Sequence, residues 1–151
     1  MIRPAVETDI PAIVRMARLF YDTTTYADIT PMDDETVSDL ARQLMDSVLL
    51  VAEKQGRLVG MVGLVIAPFF FNRSILTAHE VVWWVDPGVR GSRTAYSLLR
   101  AIEPACRAKG AQAIQMVHLS TSPPQAGGLY QLAGYTQTET AYTKRINTWP
   151  L

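Results

Sequence analysis

The densest cluster of residues able to do chemistry runs Val85-Asp86-Pro87-Gly88-Val89-Arg90-Gly91-Ser92-Arg93-Thr94-Ala95. An apolar, strand-like run stops at Asp86-Pro87-Gly88, and a helical pattern opens a few residues later. The first amides of a helix lack intrahelical acceptors, and the helix dipole adds partial positive charge there. Small residues let the main chain curl closely around an anion. Arg90 and Arg93 add formal charge and can grip phosphate oxygens in a fork. The spacing therefore points to a phosphate or pyrophosphate site. An ordinary strand-to-helix turn with solvated arginines is the competing reading.

Groups able to move a proton flank this turn. Glu80 and His79 lie on the strand that leads into it, and either suits a general base. Strict alternation puts Glu80, Val82 and Trp84 on one face and His79, Val81, Trp83 and Val85 on the other. Downstream, Tyr130 sits in Gly128-Leu129-Tyr130-Gln131-Leu132-Ala133-Gly134-Tyr135. His118 reads as a satisfied structural histidine. The two histidines and the single Cys106 make no metal motif, so no metal is expected. Cys106, on the apolar side of a helical stretch, reads as a buried small hydrophobe with no disulfide partner.

These residues need a scaffold, and the pattern supplies one. Residues 2–5 suit a short strand. Thr8 reads as an N-cap, followed by an amphipathic helix over 9–21, with Pro11 tolerated in its first turn. Asp33 caps a second helix whose apolar face is Val37, Leu40, Ala41 and Leu44. Strands over 48–53 and 58–66 form a hairpin around Lys54-Gln55-Gly56-Arg57. A loop over 67–76 carries Phe69, Phe70 and Phe71, and a strand follows over 77–85. A helix over 92–109 stops at Gly110, with a kink expected at Pro104. A strand over 114–119, a short helix over 126–132 and two closing strands over 135–138 and 142–146 complete the chain. The order is β-α-α-β-β-β-α-β-α-β-β. Early hairpins with a later strand–helix–strand crossover imply an α/β fold with a mixed sheet and helices on both faces.

Composition narrows the function. The chain has 151 residues, which suits a single domain over 1–151. Acidic and basic residues balance at 14 each, so the basic excess of a general nucleic-acid binder is missing. The longest apolar run, 59–71, is broken by Gly60, Gly63 and Pro68 and falls short of a bilayer span. The N-terminus lacks a signal-peptide pattern. A cytoplasmic protein with no membrane partner is expected.

The turn resembles that of the GNAT acetyltransferase superfamily, in which Val-x-Pro is followed by Arg or Gln, two residues, Gly, one residue, and Gly or Ala opening a helix. Val85, Pro87, Arg90 and Ala95 stand in register, followed by Leu98-Leu99. Arg93 replaces the usual middle glycine, where its guanidinium can help to hold the anion. The wording Arg-Gly-Ser-Arg resembles a phage-type subgroup. The element order fits the family over nearly the whole chain.

The resemblance implies a mostly antiparallel sheet of six to seven strands, splayed at a V-shaped cleft, with about four helices. It implies acetyl-CoA as cosubstrate, its pyrophosphate on the amides of Gly91, Ser92, Arg93, Thr94 and Ala95, and its pantetheine arm along the backbone of Trp84 and Val85. Tyr130 matches the family's tyrosine facing the CoA sulfur, although the usual upstream asparagine gives way to Pro123-Pro124. Glu80 matches a frequent family glutamate and is the candidate base, with His79 its rival. The acceptor would be a primary amine of a small molecule, peptide or protein lysine. The segment 21–32, with Asp22, Tyr26 and Asp28, would shape its pocket. Trp83, Trp84 and Phe69–Phe71 are candidates for that pocket or a subunit contact, and the family and the surplus aromatics point to a homodimer. Two rivals remain: a non-catalytic CoA-binding or protein-interaction module of the same fold, and a nucleotide-binding enzyme, which would lack a Gly-Lys-Ser/Thr loop.

Overall fold

A computed structural model describes residues 1–147. Strand β1 (Ile2–Pro4) leads to helices α1 (Ile10–Asp22) and α2 (Asp34–Asp46). Strands β2 (Val48–Lys54), β3 (Arg57–Phe69) and β4 (Asn72–Val85) follow, then α3 (Thr94–Ala108), β5 (Ala111–Gln115) and α4 (Gln125–Leu132). The sheet order is β1-β2-β3-β4-β5. Every pair is antiparallel except β4 and β5, which run parallel across the α3 crossover.

The helices divide between the two faces as the patterning requires. On one face Leu98, Leu99, Ile102 and Cys106 of α3 pack against Val48, Leu50, Val62, Leu64, Ala78 and Val85. Each large apolar side chain buried this way stabilises the fold by roughly 1.5–3 kcal/mol. On the other face Ile10, Ile13 and Met16 of α1 and Ala41 and Leu44 of α2 cover Leu49, Val51, Met61, Val82 and Trp84. Gly63 permits the close approach of α2, since a Cβ there would lie 2.9 Å from a Leu44 methyl. Asp33 caps α2 by accepting from the Thr36 amide at 2.8 Å.

Several elements depart from the sequence expectations. Thr8 does not cap α1. A short 3-10 turn over Glu7–Asp9 precedes the helix, and Asp9 instead accepts from the Val6 amide. The expected 67–76 loop is a tight hairpin, with Phe69 paired to Asn72 and only Phe70 and Phe71 at the tip. Alternating β-formers on both arms carry the ladder to that tip. Helix α3 begins at Thr94 and not at Ser92, because Gly91 adopts a left-handed φ of 85° and Ser92 turns its hydroxyl back to the Val89 carbonyl; it runs through Pro104 without a break, as its apolar stripe on both sides of the proline requires. Strand β5 ends at Gln115 instead of Leu119. The two closing strands are absent: 136–147 is fully exposed and unpaired. Among the described residues the sheet therefore has five strands, not six to seven.

Candidate functional site

The site is built where β4 parts from β5. The two strands pair only as far as His79 with Gln115. At that level β4 carries an extra residue: Leu64 faces Glu80 and Gly63 faces Val82, leaving Val81 as a bulge. A bulge shifts side-chain parity by one and re-aims the strand. Glu80 thus shares a face with Ala78, Trp83 and Val85, on the α3 side, while Val82 and Trp84 face α1 and α2. Simple alternation, which groups Glu80 with Trp84, fails at this bulge.

Beyond the bulge a side chain bridges the two strands where a backbone bond would otherwise continue the ladder. The Val117 amide donates to Glu80 Oε2 at 2.6 Å. The Tyr130 hydroxyl, carried on α4, donates to the Val117 carbonyl at 2.6 Å. Its ring lies 5.2 Å from that of Trp83 and 5.8 Å from that of Tyr135. Glu80 and Tyr130 thus meet at one residue, Val117, whose amide and carbonyl they bond, and from Glu80 to Val85 the outer edge of β4 has no strand partner among the described residues. Burial pushes the Glu80 carboxyl up to about 7, against the downward pull of the Val117 amide and Tyr130. Burial and the neighbouring Glu80 carboxylate hold the Tyr130 phenol above its usual value.

The turn between β4 and α3 closes the other end of this edge. Residues 87–89 form a 3-10 turn, and the Ser92 and Thr94 amides find internal acceptors in Val89 O and Ser92 Oγ. The amides of Gly91, Arg93, Ala95 and Tyr96 have no acceptor among the described residues. Space around Gly91 is open, and its left-handed φ favours glycine. Arg90 is folded back. Its Nε donates to the Val85 carbonyl at 3.0 Å, and its guanidinium carbon sits 4.6 Å from the centre of a Trp84 ring.

Asp86, read from sequence only as a strand stop, anchors the turn. Its carboxylate accepts from Trp84 Nε1 at 2.9 Å and from Arg15 Nη2 at 3.2 Å, with Arg57 Nη2 at 3.8 Å. Its own amide donates to Val59 O, and its carbonyl accepts from Val89. Arg15 lies 71 positions away in the chain, so no local spacing announces the pair. A second unannounced feature is the Trp83 indole N–H, buried without a partner among the described residues.

The chain belongs to the GNAT acetyltransferase family. The model of the acetyltransferase (GNAT) family matches residues 13–135, which span the turn, Glu80 and Tyr130. No curated protein sequence matches the chain. Solved structures agree in fold. An acetyltransferase from Trypanosoma brucei is 20% identical with a TM-score of 0.71, covering 97% of this chain and 99% of its own. An aminoglycoside acetyltransferase from an uncultured soil metagenomic sample, in complex with sisomicin, is 17% identical with a TM-score of 0.74, covering 97% and 95%. A ribosomal-protein-alanine N-acetyltransferase from Brucella melitensis is 16% identical with a TM-score of 0.74, covering 97% and 99%.

Other GNAT candidates read from the sequence fall elsewhere. The His79 ring lies on the opposite side of β4 from Glu80, with its nitrogens 2.9 Å from Thr77 Oγ1 and 3.0 Å from Gln115 Oε1. His118 is exposed and makes no side-chain hydrogen bond among the described residues. Phe70 and Phe71 are 95% and 89% exposed at the hairpin tip. That tip is eight residues along β4 from Glu80, about 26 Å at strand rise, so these rings do not line the site. Asp22, at the end of α1, and Tyr26 and Asp28, on the α1–α2 connection, are exposed. Among the described residues no group of acidic, histidine and cysteine side chains is arranged to hold a metal, and no helix is long and apolar enough to cross a membrane.

Proposed function

We propose that the whole chain acts as one N-acetyltransferase domain, moving an acetyl group from acetyl-CoA to a primary amine by direct attack on the thioester. The observation that carries this reading is the meeting of Glu80 and Tyr130 at Val117, beside the unpaired edge of β4 and in line with the free amides of the turn. Those amides suit a diphosphate, and the edge from Trp84 to Val85 suits an extended arm bearing amide groups. Arg90 already lies against Val85 and needs only to swing off its carbonyl to meet a phosphate oxygen. Arg93, at the helix mouth, adds a second charge.

Glu80 supports the base role because its carboxyl titrates near the working pH, where a base both holds and releases a proton. It takes the proton lost by the attacking amine. As the carbon–sulfur bond breaks, Tyr130 gives its proton to the leaving sulfur, and the neighbouring Glu80 returns one to the phenolate. Proton count balances: one leaves the amine and one ends on the thiol. The acceptor belongs to the amine class, as a small molecule, peptide or protein lysine.

The test is calorimetry with acetyl-CoA, together with a thiol-release assay across an amine panel. Binding with turnover supports the reading, and absence of binding refutes it. A non-catalytic CoA-binding module is the second reading, favoured by the engagement of the Tyr130 hydroxyl with Val117. Binding without thiol release on any amine would select it.

A further inference from the structure

Two tryptophans stand side by side near the end of β4, and only one of them is satisfied. Trp84 Nε1 donates to Asp86 at 2.9 Å. Trp83 Nε1 is buried and meets no acceptor, the single side-chain nitrogen or oxygen in that condition among the described residues. An indole N–H can donate but not accept, so only an acceptor atom brought close to it can satisfy it. Unpaired and out of water, it forfeits the hydrogen bond it makes in the unfolded chain. A buried orphan of this kind calls for an explanation, and its position supplies one.

Trp83 lies on the face of β4 that carries Glu80, because the bulge at Val81 brings both side chains to the α3 side. Its ring is 5.2 Å from that of Tyr130, whose hydroxyl donates to the Val117 carbonyl. Its main chain pairs with Val62 of β3 on one side. On the other it belongs to the stretch of β4 that has no strand partner among the described residues. The orphan donor therefore shares one cluster with the group proposed as base and the group proposed as acid, on the edge proposed for the arm of acetyl-CoA. Neither the Glu80 carboxyl nor the Tyr130 hydroxyl serves as its acceptor.

Resting on the acetyl-transfer reading, we infer that the Trp83 indole N–H is a further catalytic donor, held for the thioester carbonyl oxygen of acetyl-CoA. The amine nitrogen forms its bond to the carbonyl carbon, and the π pair of the carbonyl moves onto oxygen. That oxygen, now negative, accepts the hydrogen bond of Trp83 without taking its proton. When the carbonyl re-forms, the carbon–sulfur bond breaks and the sulfur leaves with the bonding pair. The sulfur takes the Tyr130 proton, and the proton lost by the amine passes through Glu80 back to Tyr130. A neutral, pre-placed donor out of water gains most where charge develops. Tyr130 has to leave the Val117 carbonyl to reach the sulfur, and its ring moves with it, opening a way from the unpaired edge to the indole nitrogen. Because an acyl oxygen satisfies the donor and a free thiol does not, the site distinguishes acetyl-CoA from CoA.

The experiment is heteronuclear NMR of the indole N–H groups in the full chain, titrated with acetyl-CoA and separately with CoA, alongside calorimetry. The chain has three tryptophans, and the signal lost in Trp83→Phe is that of Trp83. It moves downfield with acetyl-CoA, and further than with CoA. Benzothienylalanine placed at position 83 keeps the bicycle and its packing but replaces the N–H by sulfur. It lowers the rate of thiol release with an amine of the panel by about 10²–10³-fold, and acetyl-CoA affinity far less. The residual activity keeps the rise through about pH 7 that Glu80 sets, whereas a merely structural role disturbs that rise. An indole signal that answers alike to acetyl-CoA and CoA, or to neither, overturns the Trp83 assignment in a chain that binds acetyl-CoA. So does full turnover without the N–H. A wild-type chain that binds no acetyl-CoA defeats the acetyl-transfer reading instead, and the assignment falls with it.

Discussion

Replacing Glu80 by glutamine removes one ionisable group while keeping an acceptor oxygen for the Val117 amide. Burial raises the carboxyl from 4.5 to about 7 in the folded chain. Between those values the folded state holds a proton that the unfolded state has released, so wild-type stability falls as pH rises through that window. Each unit corresponds to about 1.4 kcal/mol, giving a ceiling of about 3 kcal/mol. Solvent reaching this half-buried side chain brings the expected figure to about 1–3 kcal/mol. Glu80→Gln has no such dependence. The two proteins should melt together near pH 4, and the variant should be the more stable above pH 7. At about 2–4 °C per kcal/mol for a chain of this size, the gap reaches roughly 3–10 °C. Thermal melts across a pH series check this without any acceptor. With an amine substrate, thiol release should show wild-type kcat/KM rising through about pH 7. The variant should lose about 10²–10⁴-fold and the rising limb with it. A melting gap that ignores pH, together with wild-type turnover, would refute both the perturbed carboxyl and its role as base.

The turn and the phenol offer parallel tests. Arg90→Glu should weaken acetyl-CoA binding by about ten- to a hundredfold in calorimetry, the worth of one charge-assisted bond turned repulsive; unchanged affinity would remove the diphosphate from this turn. Tyr130→Phe deletes the proton but keeps the ring against Trp83. It should lower kcat by at least roughly tenfold with CoA affinity nearly intact, and equal turnover would dismiss it as the acid. Asp86→Ala leaves the Trp84 indole and Arg15 without their shared acceptor. Urea denaturation should show a loss of about 2–4 kcal/mol, accompanied by weaker acetyl-CoA binding; a variant as stable as wild type would deny the anchoring role.

Local chemistry is legible in the chain itself. Gly91 and the residues after it declare a strand-to-helix turn, because the backbone geometry they need is set within a few residues. Asp33 announces its helix for the same reason, and the apolar stripes of α1 and α3 declare which sides are buried. Glu80 and Tyr130 were separately identifiable as proton-moving groups of the right type. Their meeting at Val117 was not, since it depends on a bulge at Val81 that reverses side-chain parity on β4. A bulge is a compromise between two strands, and neither strand encodes it alone. The Asp86–Arg15 anchor likewise joins residues whose proximity exists only once α1 has packed on the sheet. The segment 136–147 shows the boundary most plainly. Its β-formers suit the two closing strands expected there, but a strand needs a partner edge, and the path of the chain after Gly134 brings none alongside among the described residues.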